Sequence, residues 1–369
     1  MRKKGSVLGV AVLLLLLSGC TIGRMLVFNS SGIQDYQRFP SRTLAQSAEP
    51  FRFAQTDGSL IRNKDIRITH ENHRWHLDSL LRRSRTVAFL VIQKDAILFE
   101  RYFHGYDAAS IVPSFSMAKS YTSALVGCAI ADGLIRSVED PMVDYLPEMQ
   151  GKEVDDVKIL HLLQMTSGIR HAENYFNPFA GVARLYYGRH LHRQVARLRK
   201  DMPAGTYFKY RSIDTQLLGE IVARVTGKSL TQYMNEKIWG RMGTEHPATW
   251  SIDQRKNGME KAFSSINATA RDFAKFGRLY LRQGNWNGNQ LLPARWVEES
   301  TMVDAQNGSS WYYQYQWWLP TKGGDFMASG HLGQFIYVNP PKDLIIVRLG
   351  KNYGGVDWPG AFLEISRQL

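Results

Sequence analysis

The chain has 369 residues, of which 44% are apolar and 21% are charged, and its formal net charge is +13. This apolar content is sufficient for a large hydrophobic core, and the low charged fraction excludes a chain that is disordered throughout. Basic residues cluster in 73–85 and 184–200. Such runs are typical of solvated helix faces, and attraction to anionic lipid or cell-wall polymer is the second interpretation.

The N-terminus has the organisation of a lipoprotein signal peptide. A basic start is followed by the apolar run 7–17, which is too short for a membrane-spanning helix of about 20 residues, and then by Leu-Ser-Gly-Cys ending at Cys20. This pattern predicts that residues 1–19 are removed and that Cys20 is lipidated; an uncleaved anchor or ordinary secretion is the alternative. Residues 20–50 are polar and patternless and are expected to form a tether. The predicted location is the cell envelope, on the periplasmic or extracellular side, where nucleic acid is not an expected partner.

A serine is followed by a lysine three residues later, at Ser116 and Lys119. On a helix these positions share a face, so the Lys119 amine can reach the Ser116 hydroxyl, and a desolvated lysine can remove the proton of a serine nucleophile. The apolar run 121–130 predicts a buried helix that ends near Gly133. Ser116 would then lie at the helix N-terminus, where backbone N–H groups favour a developing anion. A chance tetrapeptide is the alternative.

A second proton carrier is expected among three tyrosines that match a loose Y-x-N or Y-x-S pattern. Tyr121 belongs to the same predicted helix as the serine and points elsewhere, and Tyr233 belongs to an amphipathic stretch. Tyr210 follows the turn residues 203–206 and precedes a new helix, so it lies on a loop from which a side chain can project into a cleft. Tyr210, with Ser212 closing its motif, is therefore the candidate. A packed aromatic whose hydroxyl is satisfied is the alternative.

The third candidate segment comes before a predicted hairpin of strands 335–338 and 344–349. Gly333 would allow the backbone to approach a substrate closely, and the N–H of Gln334 can face the cleft as an oxyanion donor. His331 could orient substrate or tune the proton-carrying pair. A structural histidine at the start of a strand is the commoner outcome for a lone histidine.

These motifs, in the order S-x-x-K, Y-x-S and H-x-G, resemble the serine β-lactamase and penicillin-binding-protein superfamily. The resemblance is strongest to its class C β-lactamase-like branch, which includes family VIII esterases and aminohexanoate-oligomer hydrolases. Three further segments, 159–169, 267–277 and 292–296, match branch landmarks in the same order. The resemblance implies an α+β fold, an α/β/α sandwich in which helices flank an antiparallel sheet. The domain would cover 51–369, with an inserted all-helical subdomain at about 119–262.

The resemblance also implies a mechanism. Ser116 would be the nucleophile, Lys119 and Tyr210 the proton-shuttling pair, and the backbone N–H groups of Ser116 and Gln334 the oxyanion hole. Tyr175 lies where the aminohexanoate-oligomer hydrolases have an additional substrate-contacting tyrosine; an aromatic wall residue is the alternative.

Two departures from the family pattern favour an ester or linear amide substrate. His331 and Leu332 stand where penicillinases carry a lysine and a threonine that help bind the substrate carboxylate, and Ser212 replaces the usual asparagine. Hydrolysis of β-lactams or cell-wall peptides, and a binding protein without turnover, are the alternatives. No cofactor or metal is expected, because His190 and His192 lack further ligands at a suitable spacing. The sequence contains no P-loop, G-x-G-x-x-G or G-x-S-x-G motif.

Overall fold

The computed structural model describes residues 23–24, 31–56, 65–175, 177, 179–306 and 308–369. The predicted signal peptide 1–19 and the lipidation residue Cys20 lie outside these described residues. Within the part of the chain that is described, no helix is both long enough and apolar enough to cross a membrane.

The strands are named here in chain order. They are β1 (Ser41–Leu44), β2 (Ala54–Gln55), β3 (Arg67–His70), β4 (His73–His76), β5 (Thr86–Gln93), β6 (Ala96–Tyr102), β7 (Val112–Pro113), β8 (Ala248–Ser251), β9 (Ile266–Ala268), β10 (Asn285–Trp286), β11 (Asn289–Gln290), β12 (Tyr313–Gln314), β13 (Trp317–Trp318), β14 (Phe326–Gly330), β15 (Gln334–Asn339) and β16 (Leu344–Gly350).

The α-helices are named in the same way. They are α1 (Leu77–Arg83), α2 (Ala118–Ala131), α3 (Ile159–Leu163), α4 (Gly181–Tyr187), α5 (Leu191–Val195), α6 (Ser212–Thr226), α7 (Leu230–Lys237), α8 (Ala270–Leu281), α9 (Ala294–Thr301) and α10 (Trp358–Gln368).

The main sheet has eight strands in the order β12-β13-β14-β15-β16-β5-β6-β2. All neighbouring pairs are antiparallel except β2, which joins β6 in parallel. The hairpin predicted from the sequence forms β15 and β16, and β5 and β6 form a second hairpin in the N-terminal half. β5 is buried on both faces because helices cover both sides of the sheet.

Two hydrophobic clusters fill the layers on either side of this sheet. On one face, α8 packs so closely that a Cβ at Gly277 would lie 2.9 Å from Ile336. On the other face, Phe89 and Tyr337 of the sheet pack with Phe362 of α10. The predicted α/β/α sandwich with an antiparallel sheet is therefore confirmed.

Helices α2 to α7 lie between β7 and β8 and form the helical part of the fold. The helical region was expected to reach residue 262, but β8 begins at Ala248, so the helical segment ends earlier. β8 belongs to a second sheet of order β1-β8-β9-β7. The helix α2 is buried along most of its length, as its apolar run predicts; it ends at Ala131 and is followed by the C-cap residue Asp132 and by Gly133 with φ +72°.

The described part of the predicted tether is folded onto the domain. β1 pairs with β8 in register from Ser41 to Leu44, and the side chains of Ile33, Phe39 and Leu44 are buried in the core. The expectation of a free tether over 20–50 is therefore wrong from residue 31 onward. Only a few apolar side chains of this mainly polar segment are buried, and they are irregularly spaced, so the sequence shows no periodic pattern.

Candidate active site

The candidate nucleophile and its lysine lie at the junction between a short turn and a helix. Ser116 occupies a 3-10 turn, Phe115–Met117, that leads directly into α2, and Lys119 lies in the first turn of that helix. The Nζ atom of Lys119 is 3.1 Å from the Oγ of Ser116, 3.1 Å from the Oγ of Ser212 and 3.0 Å from the carbonyl oxygen of Phe263. The i, i+3 spacing thus produces the side-chain contact that the sequence predicted.

The environment of Lys119 makes its amine a competent base near neutral pH. Burial lowers the pKa of Lys119 to about 8, and the nearby carboxyl groups of Glu173 and Asp214 limit the decrease. The neutral form of Lys119 is therefore far more accessible at pH 7 than that of an ordinary lysine. A neutral Lys119 has a lone pair that can accept the proton of Ser116.

Glu173 holds the second serine of the site. The N–H of Ser212, at the start of α6, donates to Oε1 of Glu173, and the Ser212 hydroxyl is 3.3 Å from Oε2. Burial disfavours the Glu173 carboxylate, but His171, Lys119 and the Ser212 N–H stabilise it more strongly, so the pKa of Glu173 lies below its ordinary value. The site therefore contains a fixed negative charge close to Lys119.

Tyr210 lies on the loop that precedes α6, with its ring close to the Lys119 amine. The Lys119 Nζ is 4.9 Å from the centroid of the Tyr210 ring, and that ring stacks on Trp318 at a centroid distance of 5.6 Å. Burial and neighbouring tyrosines raise the pKa of Tyr210 well above 10, although interaction with the Ser116 hydroxyl opposes this shift. Tyr210 is therefore a neutral phenol that can donate a proton.

Tyr175 and His331 form one wall of the site. Their rings are nearly parallel, with an interplanar angle of 13° and a centroid distance of 5.0 Å. Burial and the charge of Glu173 raise the pKa of Tyr175, whereas burial lowers the pKa of His331. Both side chains therefore face the nucleophile in uncharged form.

Gly333 and Gln334 have a different environment from the one expected. A Cβ at Gly333 would lie 2.2 Å from a guanidinium nitrogen of Arg348, which donates to the Gly333 carbonyl at 2.6 Å. The buried side chain of Gln334 bonds to the backbone of Gly350 and His331. These two residues brace the β14–β15 hairpin. The glycine of this hairpin that approaches the nucleophile turn is Gly330, where a Cβ would lie 2.1 Å from the carbonyl oxygen of Ser114.

A pocket of about 410 Å³, including its part open to solvent, lies beside the candidate nucleophile. Four of the predicted residues line it, namely Ser116, Tyr175, Ser212 and His331, and its remaining walls are mainly apolar and aromatic. These remaining residues are Ser31, Phe115, Val182, Ala183, Tyr186, Tyr187, Phe263 and Ser264. No group of three or more His, Cys, Asp or Glu side chains among the described residues is arranged to hold a metal ion.

Sequence reasoning missed the acidic members of the site. Glu173 follows the Thr-Ser-Gly segment ending at Gly168 by five residues, and nothing in its local pattern separates it from a surface carboxylate. Asp214 is fully buried and accepts a hydrogen bond from Ser167 at 2.7 Å, and burial raises its pKa to about 7. The one available signal was that this carboxylate follows Ser212 by two residues, close to the predicted new helix.

The arrangement of a turn-borne serine, a buried lysine and a loop tyrosine beside an antiparallel sheet agrees with the family resemblance. The chain belongs to the β-lactamase family, whose model matches residues 76–361. Membership makes the protein a hydrolase of that family.

Within this family, the chain is similar to several individual proteins. The chain is 29% identical over 328 residues to a 6-aminohexanoate-dimer hydrolase of Paenarthrobacter ureafaciens, a match that covers 79% of this chain and 81% of the relative. A solved structure from Bacillus anthracis, named for the same hydrolase, superposes with a TM-score of 0.76 at 23% identity and covers 90% of this chain and 93% of that one. A family VIII carboxylesterase gives a TM-score of 0.62 at 16% identity, with 89% and 100% covered. At these identities the two structures establish the fold alone.

Proposed function

We propose that the protein is a serine hydrolase that cleaves a small ester or linear amide through an acyl-enzyme on Ser116, in the manner of 6-aminohexanoate-dimer hydrolases and esterases. The observation that carries this proposal is the 3.1 Å contact between the Ser116 hydroxyl and a fully buried Lys119 whose pKa is about 8. Both the named relative and the family membership support the same class of reaction.

The reaction begins with proton transfer. Neutral Lys119 takes the proton of Ser116 as its Oγ forms a bond to the substrate carbonyl carbon, and the carbonyl electrons move to the oxygen. The proton then passes to the leaving group through Tyr210, whose neutral phenol donates one proton and regains one from the Lys119 ammonium. Breaking the bond to the leaving group gives the acyl-enzyme. A water molecule then gives a proton to the neutral Lys119 amine and attacks the acyl carbon. The bond to Ser116 breaks, the acid leaves, and the proton passes from Lys119 to the Ser116 oxygen.

Two backbone N–H groups would stabilise the oxyanion, each contributing on the order of 3 kcal/mol. The first is that of Ser116. For the second we propose the N–H of His331, at the end of β14, in preference to that of Gln334. Gly330 brings this strand end against the nucleophile turn, whereas Gln334 lies opposite Gly330 on the next strand and serves the hairpin core.

The pocket favours an uncharged substrate group beside the scissile bond. Among the described residues that line it there is no arginine or lysine, and burial lowers the pKa of the one histidine, His331. A β-lactam carboxylate would therefore have no cation to pair with in this pocket. This is why we rank simple esters and linear amides above β-lactams and cell-wall peptides.

The test is a substrate panel on one preparation: p-nitrophenyl butyrate, a linear 6-aminohexanoate dimer and nitrocefin. We expect the ester or the linear amide to exceed nitrocefin by orders of magnitude in kcat/KM. A fluorophosphonate probe should label the wild type and the Ser123→Ala control, whose serine is buried on the same helix, but not Ser116→Ala. A nitrocefin efficiency near about 10⁶ M⁻¹s⁻¹ would instead support the β-lactamase alternative. An adduct mapped to another serine, or no turnover and no labelling, would contradict the proposal.

The proposed place of action is the cell envelope, with the chain anchored by a lipid on Cys20. The basic start, the short apolar run and the lipobox support this proposal.

A further inference from the structure

A second cavity lies beside the pocket around Ser116, which we call the catalytic pocket. The catalytic pocket has mainly apolar and aromatic walls, whereas this second cavity is lined by basic side chains. Five arginines line it: Arg170, Arg184, Arg189, Arg193 and Arg197. We call this cavity the arginine cleft. Four of these arginines belong to the basic run 184–200, which the sequence analysis interpreted as a solvated helix face or a patch that attracts anions.

The cleft is built by a fixed arrangement of two short helices. The chain reverses between α4 and α5 at His190, which has φ +65°. Gln194 of α5 donates to the carbonyl oxygen of Arg184 at 2.9 Å, and a Cβ at Gly188 would lie 2.1 Å from the same oxygen. These contacts fix the backbone of Arg184, in α4, relative to α5, which carries Arg193.

The charges in the cleft are not neutralised by the protein. In the part of the chain that the structure describes, Arg184, Arg189, Arg193 and Arg197 are exposed, and no carboxylate lies within 4.0 Å of any of them. Only Arg170 has an acidic neighbour, Asp201 at 3.7 Å. Gathering like charges in one cleft is unfavourable unless an anion joins them. Guanidinium groups are weakly hydrated and bind oxyanions in a bidentate way, so they are well suited to that anion.

The floor of the cleft is apolar. It consists of Leu185, Leu198 and Ile213, which line the cleft and are buried or half-buried, whereas the arginines that line it are exposed. A tetrahedral phosphate can accept hydrogen bonds from several guanidinium groups at once, whereas a carboxylate offers two oxygens. An apolar floor can additionally contact an organic substituent of the phosphate.

We propose that the arginine cleft is a binding site for a phosphate group, separate from the catalytic pocket. The helix α4 separates the two cavities: Val182, Ala183 and Tyr186 line the catalytic pocket, whereas Arg184 and Leu185 line the cleft. The proposal does not depend on the identity of the hydrolysed substrate.

The experiment is calorimetric titration of the full chain with two probes. Inorganic pyrophosphate represents a free phosphate, and dihexanoyl phosphatidic acid, used below its micelle concentration, represents a lipid phosphate. In Arg193→Gln/Arg197→Gln and in Arg184→Gln, which change lining arginines after and before the α4–α5 turn, we expect the Kd of the bound probe to increase by about tenfold or more, because each charge-assisted pair is lost. Tighter binding of the lipid probe would identify the apolar floor as part of the site.

The matched control is Lys94→Gln/Lys342→Gln, which removes the same charge from the exposed β5–β6 and β15–β16 turns. Its Kd should stay within about twofold of the wild type, and circular dichroism checks that each variant is folded. If neither probe binds the wild type, or if the cleft variants bind as tightly as the control, the proposal is wrong.

Discussion

Of the two candidate bases, Lys119 is the one whose pKa is shifted towards neutrality, and Tyr210 is the one whose pKa is shifted away from it. Burial lowers the pKa of the lysine to about 8 and raises the pKa of the tyrosine well above 10, so at neutral pH the amine loses its proton far more readily than the phenol. The sequence left the choice between the two open. The sequence could not decide between the two residues, because burial sets the direction of both pKa shifts and burial is a property of the fold.

The pH profile of the reaction tests this assignment. We expect kcat/KM to increase with pH through about 8, because the neutral amine is the active form. The Glu173 carboxylate raises the pKa of Lys119, so Glu173→Gln should move this limb to lower pH besides lowering kcat. The exposed Glu298→Gln is the control and should leave the limb unchanged. A limb that stays in place in Glu173→Gln would contradict the electrostatic coupling.

Tyr210→Phe separates proton transfer from packing. The variant keeps the ring that stacks on Trp318 and removes only the hydroxyl, so we expect a loss of about 10²–10⁴-fold in kcat with little change in Tm. Tyr121→Phe and Tyr233→Phe are the controls. The Tyr233 hydroxyl donates to Asp132 at 2.7 Å, so its loss should cost about 1 kcal/mol of stability without affecting catalysis. Retention of more than about half the activity in Tyr210→Phe would exclude the tyrosine from proton transfer.

Individual residues differ in how far the sequence could predict them. The Ser116–Lys119 contact follows from helix spacing, and Tyr210 follows from its position after a turn. Glu173 and Asp214 are long-range partners: they become part of the site only when α6 packs beside α2, and no local pattern records that packing. The N–H of Gln334 was expected to face the cleft; the sequence carried no sign that the Gln334 side chain bonds to the backbone of Gly350 and His331 inside the hairpin.

At the scale of elements, the close approach of β14 to the nucleophile turn is the feature that organises the pocket. Gly330→Ala would introduce a Cβ 2.1 Å from the Ser114 carbonyl oxygen and force the strand end away from Ser116. We expect kcat to fall by about 10²-fold or more, the usual effect of losing one oxyanion donor, with a smaller effect on KM. Steady-state kinetics on the ester substrate measures both.

The control for this strand is Gly323→Ala, in the preceding loop, where a Cβ would meet only the Thr321 hydroxyl at 3.1 Å. It should retain wild-type kinetics. Full activity in Gly330→Ala would show that the contact between β14 and the turn is dispensable, and would remove the argument for His331 as an oxyanion donor.

Long apolar elements were predictable and short polar ones were not. Both β5 and α2 are continuous apolar runs, and the position of α2 was predicted to within a few residues from its run 121–130. In contrast, β1 has the sequence Ser-Arg-Thr-Leu, of which only Leu44 is buried, so it carries no periodic signal. It becomes a strand because β8 offers a partner, which is a tertiary effect.

At the scale of the whole molecule, the proposed anchor is testable by one substitution. Cys20→Ala should remove the acceptor of the lipid, so metabolic labelling with a fatty-acid probe should fall to background and the chain should leave the membrane fraction or remain as an unprocessed precursor. The buried Cys128 serves as the control: Cys128→Ala should keep the label. Fatty-acid label on the Cys20→Ala protein would contradict the lipoprotein assignment.

The folding of residues 31–44 onto the domain would limit the distance between the pocket and the proposed lipid anchor at Cys20. Ser31 already belongs to the wall of the catalytic pocket, and eleven residue steps separate it from Cys20. At full extension these steps span about 38 Å. A lipid on Cys20 would therefore confine the pocket to a shell of that depth above the bilayer. Substrates that partition into this shell would meet the enzyme at a far higher effective concentration than those in bulk solution.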